Sequence, residues 1–145
     1  MISRPIAVFA LVSFALLALP AQAGTMNDTD SDLVPDAFDN CTTRANGPNE
    51  PSNQLDCNLD GYGDACDPDY NDDGGTTTGD FLEFLQCFTG TFTTITLAAC
   101  PCMDHDGNGA YSTADFLVFL DFFSNDNAPP GPSGLSCAGA IPCIP

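Results

Sequence analysis

The sequence predicts a small, mainly irregular acidic segment followed by a two-helix all-α module, the whole stapled by disulfides. Three observations carry that fold class. Aspartates recur at alternate positions between Asp28 and Asp80, interrupted by Gly, Asn and Pro, a pattern suited to loops. A Phe-rich apolar period of helical spacing occurs twice, starting at Phe81 and at Phe116, each time directly after such a loop. The chain also holds 8 cysteines, an even number fit for a bridged framework.

Residues 1–23 read as a secretory signal peptide. Arg4 supplies the positive start, Ile6 to Leu19 the apolar run, and Ala21-Gln22-Ala23 the small-residue cleavage pattern before Gly24. About twenty apolar residues are needed to span a bilayer, and no later stretch approaches that. The mature chain is therefore expected to be secreted or extracellular, or held in the cell envelope, with no membrane insertion after cleavage. All 20 acidic residues follow Ala23 and only Arg44 remains basic, so the mature charge is 1 minus 20, or −19. Such a surface repels nucleic acid and anionic membranes. In an oxidising compartment Cys41, Cys57, Cys66, Cys87, Cys100, Cys102, Cys137 and Cys143 allow four bridges, and a short, self-repelling chain needs such staples.

Four twelve-residue loops repeat one spacing. Asp28, Asp30, Asp32, Asp36 and Asp39 stand at positions 1, 3, 5, 9 and 12 of loop 1. Asp56, Asn58, Asp60, Asp64 and Asp67 do so in loop 2, Asp69, Asn71, Asp73, Thr77 and Asp80 in loop 3, and Asp104, Asp106, Asn108, Ser112 and Asp115 in loop 4. Gly61, Gly74 and Gly109 take the sixth position, as in the D-x-[DN]-x-[DN]-G calcium loop, in which alternate side chains turn hard oxygen donors inward. Loop 1 has Leu33 there, which predicts the weakest or most distorted loop of the set, because the position favours a conformation difficult for a branched side chain. Val34, Tyr62, Gly75 and Ala110 at position 7 are expected to offer backbone carbonyls, and Thr77 and Ser112 to act through water. The oxygen-only ligand set selects Ca2+ over softer metals, three to four ions in all.

Residues 24–67 thus carry two of the expected calcium loops, with a polar, turn-rich spacer between them. From 68 to 123 the chain changes character. Phe81, Leu82, Phe84, Leu85 and Phe88 form one wide apolar face, and Phe116, Leu117, Phe119, Leu120 and Phe123 repeat it. Two such short helices are expected to bury those faces against each other. Proline before loop 3 (Cys66-Asp67-Pro68) and before loop 4 (Cys100-Pro101-Cys102) argues against a helix entering either loop. The tail, residues 124–145, is rich in Pro and Gly and reads as irregular, with Cys137 and Cys143 free to pair together or to pin it onto the helices.

Two resemblances follow from these residues. Asp28 to Asp67, with its Asp39-Asn40-Cys41, its spacer ending in Gln54 and its Asp64-Ala65-Cys66-Asp67, resembles thrombospondin type 3 repeats, in which the chain wraps calcium ions with little regular structure. Cys41 and Cys66 match that family's cysteine positions; Cys57 is additional and Leu33 departs from its pattern. The duplicated loop and helix over 69–123 resembles the dockerin module, an EF-hand-related unit lacking the entering helix, whose loops also end in aspartate. This second resemblance implies a cohesin-like or other extracellular protein as partner. The residue pairs that dockerins commonly present to cohesin are not carried over: Thr78-Gly79, Thr113-Ala114, Leu85-Gln86 and Leu120-Asp121 stand in their places.

No arrangement of Ser, Cys or His that activates a nucleophile is visible, and His105, the sole histidine, falls at an outward position of its loop. Cys87, Cys100 and Cys102 read as disulfide partners in preference to a thiolate metal site. The sequence therefore leads to the expectation of a non-catalytic calcium-binding protein whose helical module anchors to another protein. The rival is a structural or calcium-sequestering envelope protein with no dedicated docking partner.

Overall fold

Two twelve-residue helices form on the apolar periods, α1 over Thr78–Thr89 and α2 over Thr113–Ser124. The computed structural model describes residues 26–91, 97–126 and 128–144; the expected signal peptide lies outside them. Each helix starts with a reciprocal capping box, Thr77 with Asp80 and Ser112 with Asp115, which satisfies backbone donors that the first turn leaves open. Gly90, at φ 67°, ends α1 in the left-handed conformation that glycine adopts without strain.

The helices meet through Phe84 and Phe119, which are fully enclosed with ring centroids 6.0 Å apart. Phe81, Phe116 and Tyr70 stack around them. The buried strip is narrower than the sequence implies: Leu82 is 56% exposed, Phe88 50% and Leu117 60%. A helix pair covers only the side that each partner faces, and among the described residues no third element closes over these side chains.

The Cys87–Cys100 disulfide ties α1 to a 3-10 segment, Leu97–Met103, and Met103 and Cys100 join the Phe84 cluster. This segment runs up to loop 4 with Pro101 inside it. The proline excludes an α-helical ladder there, as expected, but a tighter helix tolerates it in a short, disulfide-anchored stretch.

Among the described residues there is no β-strand, and regular structure in the acidic segment is confined to 3-10 turns at Asp36–Phe38 and Asp64–Cys66. The Cys41–Cys66 disulfide and the Gly63 N–H to Asn40 carbonyl bond (3.0 Å) close this segment on itself. It does not stand apart from the helices. Phe122 of α2 packs on Cys41, Ala65 and Cys66; Arg44 pairs with Asp121 at 2.9 Å; Cys57 is bridged to Cys102.

The tail carries its own Cys137–Cys143 bridge; Ala128 bonds the end of α2 at Phe122 and Thr76 of loop 3, and from Gly131 onward the tail bonds the acidic segment. Backbone N–H groups of Gly131, Gly134, Gly139 and Cys143 donate to carbonyls of Cys66, Asp39, Asp60 and Leu59 at 2.7–2.9 Å. A Cβ on Gly61 would fall 2.5 Å from Cys143 Sγ, so the tail crosses loop 2 at van der Waals contact.

Candidate metal centres

All four loops make the same turn. The N–H at position 6 donates to the position-1 carboxylate, from Leu33 to Asp28 (3.1 Å), Gly61 to Asp56 (2.9 Å), Gly74 to Asp69 (2.7 Å) and Gly109 to Asp104 (2.6 Å). The φ angles there are 80°, 90°, 98° and 86°. Loop 1 thus makes the same turn as the others, with Leu33, its side chain 66% exposed, held in the left-handed conformation that costs a branched residue more than glycine.

Three loops bring carboxylates together. Asp28 with Asp30 and Asp32, Asp69 with Asp73 and Asp80, and Asp104 with Asp106 and Asp115 each place oxygens within 4.8 Å of one another. These acidic clusters can hold metal ions, and their donor set is oxygen alone. In loop 1 the Oδ2 atoms of Asp30 and Asp39 are buried without a hydrogen-bond partner, which suits a cation at that centre.

Among the described residues loop 2 forms no such triad. Its position 3 is Asn58, whose amide donates to Asp72 at 3.0 Å and to Asp67 at 3.4 Å, while Asp56 is occupied by the N–H groups of Leu59 and Gly61. Asp60 accepts from Tyr62 N–H at 2.8 Å. Asp67 is enclosed, and burial first, then the charge of Asp60, pushes its pKa well up.

Position 9 divides the loops into two kinds. In the acidic segment it is an aspartate tied to the position-2 backbone, Thr29 N–H to Asp36 at 2.7 Å and Cys57 N–H to Asp64 at 2.9 Å. Asp36 also accepts from the Thr29 hydroxyl and the Asn27 amide, and these donors, the Thr29 N–H foremost, hold its pKa down. In loops 3 and 4 Thr77 and Ser112 cap the helices, and the position-12 carboxylates of Asp80 and Asp115 accept their N–H groups at 2.7 Å. Asp80 and Asp115 also accept from Asn71 and Asp106 N–H. At position 7, Val34 and Ala110 donate N–H to Asp32 and Asn108, and Gly75 is buried.

Few cations oppose these carboxylates. Among the described residues Arg44 forms an ion pair with Asp121 and lies over the Phe122 ring, away from the triads. Burial is the leading cause that raises Asp30 to about 6, helped by the charges of Asp32 and Asp39, and it also lifts Asp39, Asp60, Asp69 and Asp104 and takes Asp64 to about 6.

His105 is buried, contrary to its outward position within its own loop. Tyr70, the matching position-2 residue of loop 3, meets it with OH to Nε2 at 2.8 Å, and His105 Nδ1 bonds the Asp64 carbonyl of loop 2. A carbonyl only accepts, so Nδ1 carries the proton and Nε2 accepts from the Tyr70 hydroxyl. Burial lowers the His105 pKa to about 4 and keeps the ring neutral. The outward reading fails because loops 2 and 3 pack on that side of loop 4, a tertiary contact invisible to spacing within one loop. Position-2 residues Cys57, Tyr70 and His105 thus link three loops, through the Cys57–Cys102 bridge and this relay. The spacer supplies further residues that the loop pattern did not mark, Asn46 and Gln54, which bond Asp32 and Asp39.

The chain is therefore a small, mostly irregular, disulfide-rich protein with, among the described residues, two α-helices and acidic clusters able to take metal. Its four bridges fit an oxidising environment, and among the described residues no helix is long and apolar enough to cross a membrane. No family model, curated protein or solved structure matches it.

Proposed function

We infer that this is a secreted, non-catalytic calcium-binding protein whose thrombospondin type 3-like segment and dockerin-like module fold on three to four Ca2+ ions, the module serving calcium-dependent anchoring to another extracellular protein. The observation that carries the calcium reading is the repeated turn: four loops share one position-6 to position-1 bond, and three of them gather three carboxylates within 4.8 Å. Asp28, Asp30, Asp32 and Asp39, then Asp69, Asp73 and Asp80, then Asp104, Asp106 and Asp115 are the residues that would hold the ions. Bound calcium supplies charge neutralisation and couples each loop to the element that follows it. Three ions at these sites would take the mature charge from −19 to −13, and a fourth in loop 2 would take it to −11.

Anchoring is supported by the apolar surface that the helix pair leaves open. Leu82, Phe88 and Leu117 are at least half exposed, beside a groove of about 110 Å³ lined by Phe81, Phe84, Leu85, Phe88, Thr113 and Phe116. On so acidic a chain the fitting partner offers apolar side chains flanked by basic residues. Native mass spectrometry of the mature chain, counting calcium ions and intact disulfides together, tests the first half; three or four ions support it and none refutes it. Capture from the native envelope with and without chelator tests the second: a partner retained only with calcium supports anchoring, and none favours the sequestering role.

A further inference from the structure

Loop 1 lacks an α-helix at its exit, and the spacer does the corresponding work for its position-12 carboxylate. Asp39 is fully buried; its Oδ1 accepts from Cys41 N–H at 2.9 Å and from Gln54 Nε2 at 2.8 Å. Its Oδ2 has no partner, and neither does the enclosed Oδ2 of Asp30. Enclosed carboxylate oxygens without donors are strongly unfavourable unless a cation meets them. Asp28, Asp30 and Asp32 converge within 4.8 Å, and Asp39 is joined to this triad through Gln54 Nε2, which meets both Asp39 Oδ1 and Asn46 Oδ1, and through Asn46 N–H, which meets Asp32 Oδ2.

The Gln54 amide cannot turn. Its Oε1 accepts from Asn40 N–H at 2.9 Å, so Nε2 must face Asp39, and the second Nε2 proton goes to Asn46 Oδ1 at 2.7 Å. Asn46, itself fully buried, donates its N–H to Asp32 Oδ2 at 2.9 Å while Val34 N–H holds Asp32 Oδ1 at 2.8 Å. In loops 3 and 4 the helix N-terminus fixes Asp80 and Asp115 through Thr77 and Ser112 N–H. In loop 1 a side-chain amide from fifteen residues downstream takes that place.

We propose that Gln54 is a positioning residue of the loop 1 cation site, saturating one oxygen of Asp39 and reserving the other, with that of Asp30, for a calcium ion held also by Asp28 and Asp32. The inference rests on the calcium reading above. Partners that orient a metal ligand typically contribute 10- to 100-fold in affinity. The test uses the mature full-length chain with Gln54→Met, which keeps length and removes the donors, and Gln54→Glu, which keeps an acceptor for Asn40 N–H. Calcium titration by calorimetry is expected to show one site weakened about 10- to 100-fold and the others unchanged, with the loss of unfolding midpoint larger in calcium than in chelator. Unchanged affinity at every site, or an equal loss in calcium and in chelator, overturns the proposal and leaves Gln54 a structural residue. Failure of the unmodified chain to take up calcium overturns the calcium reading itself.

Discussion

Removing calcium should unfold the helices. Each of the three triads sets three carboxylates within 4.8 Å of one another. Even with water's full screening, two unit charges at that distance repel by about 0.9 kcal/mol, so nine such pairs oppose the closed loops by about 8 kcal/mol. Salt at 0.1 M has a Debye length of about 10 Å and relieves little of this. A domain's whole stability is about 5–15 kcal/mol. The helices cannot persist unaided, because α1 and α2 have 12 residues each and isolated helices of that length are marginal in water. Their first turns also depend on Asp80 and Asp115, which belong to the same triads. At neutral pH, chelation is expected to abolish most of the 222 nm ellipticity and enlarge the hydrodynamic radius within the limits the four disulfides allow. Circular dichroism and dynamic light scattering in excess chelator, with ion loss verified by native mass spectrometry, make the check. An ion-free protein that keeps its ellipticity would refute the reasoning.

Further outcomes follow from other contacts. Tyr70→Phe leaves His105 Nε2 buried without its donor and is expected to lower stability by about 1–2 kcal/mol in calcium; an unchanged urea midpoint counts against the relay. Replacing Cys57 and Cys102 by serine opens a 45-residue separation, for which loop-closure entropy gives a loss of about 4 kcal/mol, read from urea unfolding in saturating calcium; a loss under about 1 kcal/mol would mean that packing alone holds loop 2 to loop 4. Acid should act in opposite directions with and without the ion. Asp30 and Asp64 are raised from 3.8 to about 6, burial being the first cause, so the folded ion-free chain favours their protonated forms. That contribution is complete below 3.8 and lost as pH rises through about 6. Chelated protein is therefore expected to contract between about pH 7 and about pH 5, whereas calcium-loaded protein releases ions as protons compete for the carboxylates; light scattering that shows the chelated form expanding over that interval would contradict the sign.

The parts of the molecule written in local spacing were legible in the sequence. The two helices and their caps depend on residues within about four positions of one another, and each loop on a fixed pattern within twelve residues, so both lie inside the range that sequence spacing reports. What escaped depends on contacts between loops. His105 and Tyr70 are outward in their own loops and inward in the assembly. Asn46 and Gln54 look like ordinary turn residues until their bonds to Asp32 and Asp39 are seen. Leu33 in the glycine position predicts a weakened or distorted loop 1, yet the bond to Asp28 holds its backbone in the same turn at φ 80°, so the cost stays local to that residue and leaves the loop's shape unchanged. The wide apolar faces read from the helix period overestimated burial because a period reports which residues share a side, and not whether anything covers it.

The tail's course bears on the order in which the protein can mature. Carbonyls of Asp39, Leu59, Asp60 and Cys66 receive their donors from Gly134, Cys143, Gly139 and Gly131. The acidic segment precedes residues 131–143 in the chain, yet those residues supply backbone donors to it. The acidic segment is thus completed by residues made after it, so a chain truncated before Gly131 is expected to be cut more readily near Asp39 and Asp60, even with the Cys41–Cys66 disulfide in place.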